Sequence, residues 1–201
     1  MKTLLSLAFA CITLSSAAQA EQFIGTVVYT PTNDDRGYIE PPLPDEVVIH
    51  SAPGFHRYEE AIGSDRRVVI YDLAKGEQYT LMTLLGEKLA LRAPYTPPAV
   101  AAAMDASITD ALPICGYPAE TIYMNNHYYG VVFTSRFLSN HPNLPQCGSL
   151  VLEFTYPKST LRLRAATVNT GVPDAALFTI PAGYTLITAE ELLEVFGIDG
   201  E

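Results

Sequence analysis

Positive charge is scarce in this chain. Its 12 lysines and arginines face 22 aspartates and glutamates, a formal net charge of -10. Nucleic acid and anionic lipid headgroups both need clustered Lys and Arg, so neither is expected as a main partner. An acidic surface serves solubility instead. Cysteine is also scarce, with 3 in 201 residues, so the core cannot depend on many covalent staples. A single domain of about 180 residues buries enough surface to manage without them. No run after the first twenty residues approaches the length of a transmembrane helix, so an integral membrane protein is not expected. Catalytic signatures are missing as well. There is no Gly-x-Ser-x-Gly elbow and no glycine-rich phosphate loop. Ser149 follows Cys147-Gly148 without an assignable acid–base partner. The sequence therefore predicts a protein that is not an enzyme and needs no cofactor.

The N-terminus is the clearest positive signal. Lys2 precedes an apolar stretch over residues 4–14, and Ala18-Gln19-Ala20 supplies small residues for a signal peptidase. The stretch is too short to span a bilayer. Residues 1–20 read as a signal peptide cleaved after Ala20, leaving one domain over 21–201 in the periplasm or outside the cell. Cys11 leaves with the signal. Cys115 and Cys147 remain, and an isolated pair in an oxidising compartment is expected to form a disulfide. Its loop of about 30 residues predicts roughly 3–4 kcal/mol on the chain-entropy model.

Strand-like runs rich in Val, Ile, Tyr, Thr and Phe recur along the chain, separated by Gly, Pro, Asn and Asp. They cover residues 23–30, 46–51, 55–61, 67–72, 77–82, 87–92, 120–124, 128–134, 150–156 and 160–168. Short turns at regular spacing predict an antiparallel meander of about ten strands. Period-two alternation places Tyr79, Leu81, Leu89, Leu91, Leu152, Phe154, Leu161 and Leu163 on one apolar face of the sheet, a core face or the lining of a cavity. Gln78, Lys88 and Glu153 take the opposite face. Two short helices are expected, over 97–107 and 189–196. The first has Pro at its opening and a run of alanines. The second has Thr188 and Glu191 as a capping box and Leu192, Leu193 and Phe196 as a stripe.

The segment Cys115-Gly116-Tyr117-Pro118-Ala119-Glu120-Thr121, the run 150–154, and Leu177-Phe178-Thr179-Ile180-Pro181-Ala182-Gly183-Tyr184 resemble an uncharacterised family of bacterial envelope proteins. That family is similar to the outer-membrane lipoprotein carriers of the LolA type. Arg57-Tyr58-Glu59 and Asp72, Lys75, Gly76 and Tyr79 fit earlier strands of the same pattern. The resemblance implies a mainly β (α+β) fold, an antiparallel half-barrel wrapped over two short helices. It also implies a hydrophobic ligand, a lipid or a lipidated protein. It carries over no functional residue. The competing expectation is an envelope interaction module with a fully packed core, using the loops 31–44 and 140–146 as contacts.

Other constellations favour plain readings. His50 and His56 flank the Pro53-Gly54 turn and could bind a metal with Glu59 or Glu60, but no fourth ligand has diagnostic spacing. His127 and His141 sit in turn-forming contexts. Asn33-Asp34-Asp35 lacks the ligand alternation of a calcium loop. Glu59 and Glu60, adjacent on a strand, are predicted to face opposite ways and not to share a substrate. Tyr117, Tyr123, Tyr128, Tyr129 and Tyr156 concentrate aromatic surface in the second half, for strand packing or a ligand.

Overall fold

A computed structural model describes residues 21–32, 43–97, 106–124, 127–134, 137–138, 142, 149–156 and 161–195. Strand follows strand: β1 (Glu21–Gln22), β2 (Gly25–Pro31), β3 (Glu46–Ala52), β4 (Phe55–Ile62), β5 (Asp65–Asp72), β6 (Glu77–Leu84) and β7 (Glu87–Pro94) come first. Then come β8 (Ala106–Ile114), β9 (Tyr117–Met124), β10 (His127–Thr134), β11 (Phe137–Leu138), β12 (Ser149–Thr155) and β13 (Arg162–Asn169). A 3-10 turn (Ala175–Phe178), β14 (Thr185–Ile187) and α1 (Ala189–Val195) complete the described chain. Each of the ten expected runs falls on a strand. Strands β1, β8, β11 and β14 were not expected. Most of the helix expected over 97–107 lies outside the described residues, and Ala106 and Ser107 begin β8.

One sheet holds 12 strands in the order β14-β7-β6-β5-β4-β3-β2-β13-β12-β10-β9-β8, and β1 pairs separately with β11. It is mainly β, open at β14 and β8, and antiparallel except for the parallel β14–β7 pair. The sheet consists of two meanders. Strands β2 to β7 form one, and β8, β9, β10, β12 and β13 the other. They meet where β13 pairs with β2.

Tight turns set the registers. Leu85 and Gly86 between β6 and β7, and Cys115 and Gly116 between β8 and β9, all have positive φ. Two successive left-handed residues match the right-handed twist of a hairpin. Glycine adopts this conformation freely, whereas leucine and cysteine are strained in it. Gly25 has a different reason. A Cβ there would stand 2.2 Å from the Asn169 carbonyl oxygen, so only glycine lets β2 lie against the end of β13.

Cross-strand partners share a face, so the register assigns the faces of the sheet. Tyr58, Val69, Ile49 and Val27 are successive partners on what we call the inner face. They belong to a large buried cluster with Phe23, Tyr29, Val47, Tyr71, Leu150, Leu152, Phe154, Leu161 and Leu163. An extra residue in β12, between Val151 and Glu153, also turns Val151 into this cluster. Val68, Ile70, Leu81 and Ala90 form a smaller cluster on the outer face.

This register corrects the expected single apolar face. Leu81 pairs with Val68 and Tyr79 with Ile70, so both lie on the outer face. Leu89 and Leu91 pair with Met82 and Thr80, one residue out of phase, and lie opposite Leu81. Leu152, Phe154, Leu161 and Leu163 are fully buried in the inner cluster. The physical reason is that β4 to β7 bury apolar side chains on both faces. Alternation within a strand then marks a phase without saying which side it faces. Of the residues expected opposite the core, Lys88 is exposed, Gln78 is half-buried, and Glu153 is buried in an ion pair with Arg164.

The sheet curls around its inner face. Tyr156, just past β12, donates its hydroxyl to Glu60 Oε1 of β4 at 3.0 Å. Strands β3, β2 and β13 intervene. In a flat sheet four strand spacings would separate the two by roughly 19 Å, and side chains standing perpendicular to it could not meet. Tyr29 of β2 likewise reaches the Val151 carbonyl, and Tyr95 beyond β7 reaches the Pro142 carbonyl at 2.7 Å.

A strap over residues 170–184 carries the chain from β13 to β14 across the outer face. Asp174 caps its 3-10 turn by accepting from Ala176 N. Phe178 is buried against Phe55, with ring centroids 5.8 Å apart, and Ile180 and Tyr184 cover the outer apolar cluster. The predicted capping box forms: Glu191 Oε2 accepts from Thr188 N, and Thr188 Oγ1 from Glu191 N. Helix α1 sits beside β7, at the sheet edge.

Candidate functional site

Two polar groups interrupt the buried apolar inner face. The first is Glu60, at 3% exposure. Its Oε1 accepts from Tyr58 at 2.8 Å and from Tyr156 at 3.0 Å. Its Oε2 is buried and accepts no hydrogen bond from the described residues, with Arg67 Nη1 3.7 Å away. Burial, then the neighbouring Glu60 charge, raises the Tyr58 phenol. The same causes push Tyr156 up to about 12. Both phenols therefore remain donors across ordinary pH. Glu60 and Arg67 pair across the hairpin where β4 ends and β5 begins. Beside them an open groove of about 540 Å³ is lined by Arg66, Arg67, Thr80, Leu81, Met82 and Thr83, among others.

The second polar group is the cross-strand pair Ser51 and His56, with Oγ and Nδ1 2.9 Å apart. Burial lowers His56 to about 4. A serine beside a neutral histidine resembles a nucleophile with its base. Yet Ser51 is completely buried, His56 nearly so, and neither borders the groove that Arg67 lines.

The outer face carries a different cluster. Glu59 Oε1 receives Arg57 Nε at 2.6 Å, and Oε2 receives Arg66 Nη1 at 2.9 Å. Arg57 also donates to the Leu177 carbonyl, pinning the strap. Glu59 is held down to about 2, first by His50, then by Arg57 and Arg66, against the opposite pull of burial. His50 Nε2 stands 3.6 Å from Oε1, so its contribution is electrostatic and the Arg57 contact is the firmer one.

Glu59 and Glu60 do lie on opposite faces, as adjacent strand residues must. His50 and His56 are also divided, His50 with the outer cluster and His56 inside, so the two imidazoles cannot share a metal. Among the described residues no group of three or more His, Cys, Asp or Glu could hold a metal ion. Cys115 is exposed and bonded to no other cysteine among the described residues, and its Sγ lies 3.3 Å from the Ala165 carbonyl. Cys147, His141 and Asn33-Asp34-Asp35 lie outside the described residues, as do the side chains of His127, Ser149, Tyr123, Tyr128 and Tyr129. Tyr117 and Tyr156 pack half-buried against the inner cluster.

The residues that sequence reasoning missed are Tyr58, Glu60, Arg67 and Tyr156 acting together. One signal was present. Glu60 shares the phase of His56 and Tyr58, the buried phase of β4. No protein-family model and no curated protein matches this sequence.

Proposed function

We propose that this chain is an exported, non-catalytic binding protein of the bacterial envelope, a LolA-like half-barrel whose inner face takes a hydrophobic ligand. The ligand is a lipid or the acyl portion of a lipidated protein. One observation carries this reading. The sheet curls around a continuous apolar face that runs from β5 through β2 to β12. The one described α-helix lies at its edge rather than within it. Binding there would require little charge complementarity. The same reading takes residues 1–20 as a cleaved signal and Cys115–Cys147 as a disulfide. An intact mass of the purified mature protein checks both: it should begin at Glu21 and lack two hydrogens.

The interaction-module reading draws on a different observation. Tyr29 and Phe154 meet edge to face at 5.2 Å and are wholly buried by their own neighbours. Native mass spectrometry of protein purified from its own envelope, with lipid extraction of the same sample, separates the two. Co-purifying lipid and binding of acyl probes support the hydrophobic-ligand reading. An empty protein that ignores acyl probes leaves the packed module. Phe154→Asp should weaken acyl binding. Leu81→Asp should leave it unchanged, because Leu81 faces the strap.

A further inference from the structure

Resting on the hydrophobic-ligand reading, we infer that Glu60 and Arg67 form a head-group site selecting an uncharged amphiphile with a hydroxyl beside an ester or amide carbonyl, as in a monoacylglycerol. Three observations lead there. Glu60 is almost fully buried, yet its Oε2 accepts no hydrogen bond from the described residues. A buried carboxylate oxygen without a donor is costly, and such groups are rare unless something satisfies them. Second, the carboxylate is held in place. Two phenols, Tyr58 of the same strand and Tyr156 from beyond β12, clamp Oε1 and fix the direction of Oε2. Third, the surroundings choose the ligand's charge. Arg67 Nη1 is too far for a hydrogen bond but close enough to offset the carboxylate.

An ammonium head group would meet the Arg67 cation. A carboxylate head group would meet the Glu60 anion. A neutral hydroxyl donates to Oε2 without either penalty, and an adjacent carbonyl accepts from the exposed Arg67 guanidinium.

Three single-chain probes of equal tail length test this on the mature protein: 1-lauroylglycerol, methyl laurate and dodecylammonium. Their dissociation constants are measured by displacement of a fluorescent fatty-acid probe. The wild type should bind lauroylglycerol about tenfold or more tighter than methyl laurate, as a hydrogen bond to a charged group implies. Dodecylammonium should show no advantage over methyl laurate. Glu60→Gln turns the acceptor into a donor and should bring the lauroylglycerol preference below about threefold. Arg67→Met changes an exposed side chain and should reduce the preference severalfold even if Glu60→Gln does not fold.

Equal binding of all three probes by the wild type would overturn the head-group site while leaving the acyl-binding reading intact. A preference for dodecylammonium would overturn the neutral-ligand assignment. A full preference surviving in both variants, or in Arg67→Met when Glu60→Gln is unfolded, would remove these residues from recognition. Failure of every probe to bind would overturn the hydrophobic-ligand reading itself.

Discussion

Glu59 and Glu60 are consecutive in the chain and live in different surroundings. Glu59 lies on the outer face within a shell of cations, with Arg57 and Arg66 on its two oxygens and His50 nearby. Glu60 lies on the inner face, clamped by two phenols on one oxygen and, among the described residues, bare of hydrogen-bond donors on the other. The outer carboxylate is fully engaged and ties the strap to the sheet through Arg57. The inner one keeps an acceptor in reserve. A shift of one residue along a strand therefore changes a carboxylate from a structural tie on the outer face into a buried, half-satisfied group on the inner one. The two faces of β4 divide the work of the molecule in the same way.

The largest test of this contrast is packing. Phe154→Ala empties the centre of the inner cluster and should cost about 4–5 kcal/mol in urea unfolding. Leu81→Ala, on the outer face, should cost only about 2 kcal/mol, because the strap can settle into the gap. Equal losses would show that both faces are equally rigid.

Next comes the ion cluster. Glu59→Ala leaves the largely buried Arg57 without its carboxylate and should cost about 3–4 kcal/mol. Arg66→Ala should cost less than about 1 kcal/mol, since its side chain is 59% exposed.

Acid separates the faces by pH window. His56 is held below its ordinary 6.5, at about 4, so the unfolded chain takes up a proton first as pH falls. Stability should drop by on the order of 3 kcal/mol between pH 6.5 and 4. His56→Gln should flatten that window. The Glu59 contribution is present above its ordinary 4.5 and should be lost only as pH falls from there toward about 2. Denaturant midpoints measured across this range resolve the two steps.

A last, small effect serves as a control that touches neither face. Leu85 is 85% exposed in a left-handed turn. Leu85→Asn should raise stability by about 1 kcal/mol, visible as a small increase in Tm.

Much of the fold was legible in the sequence. Hairpin strands declared themselves by β-branched and aromatic runs, and α1 by Thr188 and Glu191. Strand β8 was hidden because its stretch follows alanines and prolines that suit a helical start. Strand β14, only three residues long, exists because the strap delivers it to β7. Faces were harder to read than strands. Alternation in β6 and β7 gave correct phases within each strand, but only the hairpin register says that Leu81 and Leu89 point apart. The Glu60 site was illegible for a related reason. Tyr156 meets Glu60 only because the sheet curls, and curvature has no signature in a local pattern.

The seam between the two meanders orders the assembly of the chain. Strands β2 to β7 pair with their sequence neighbours, so that half can form by closing short loops. The β2 edge must wait much longer, since Tyr29 finds its partner only at Ala165. Until then β2 presents an unpaired apolar edge, the kind that recruits strands from other molecules. Any truncated chain that ends before β13 should inherit that open edge and aggregate, however well its own hairpins form.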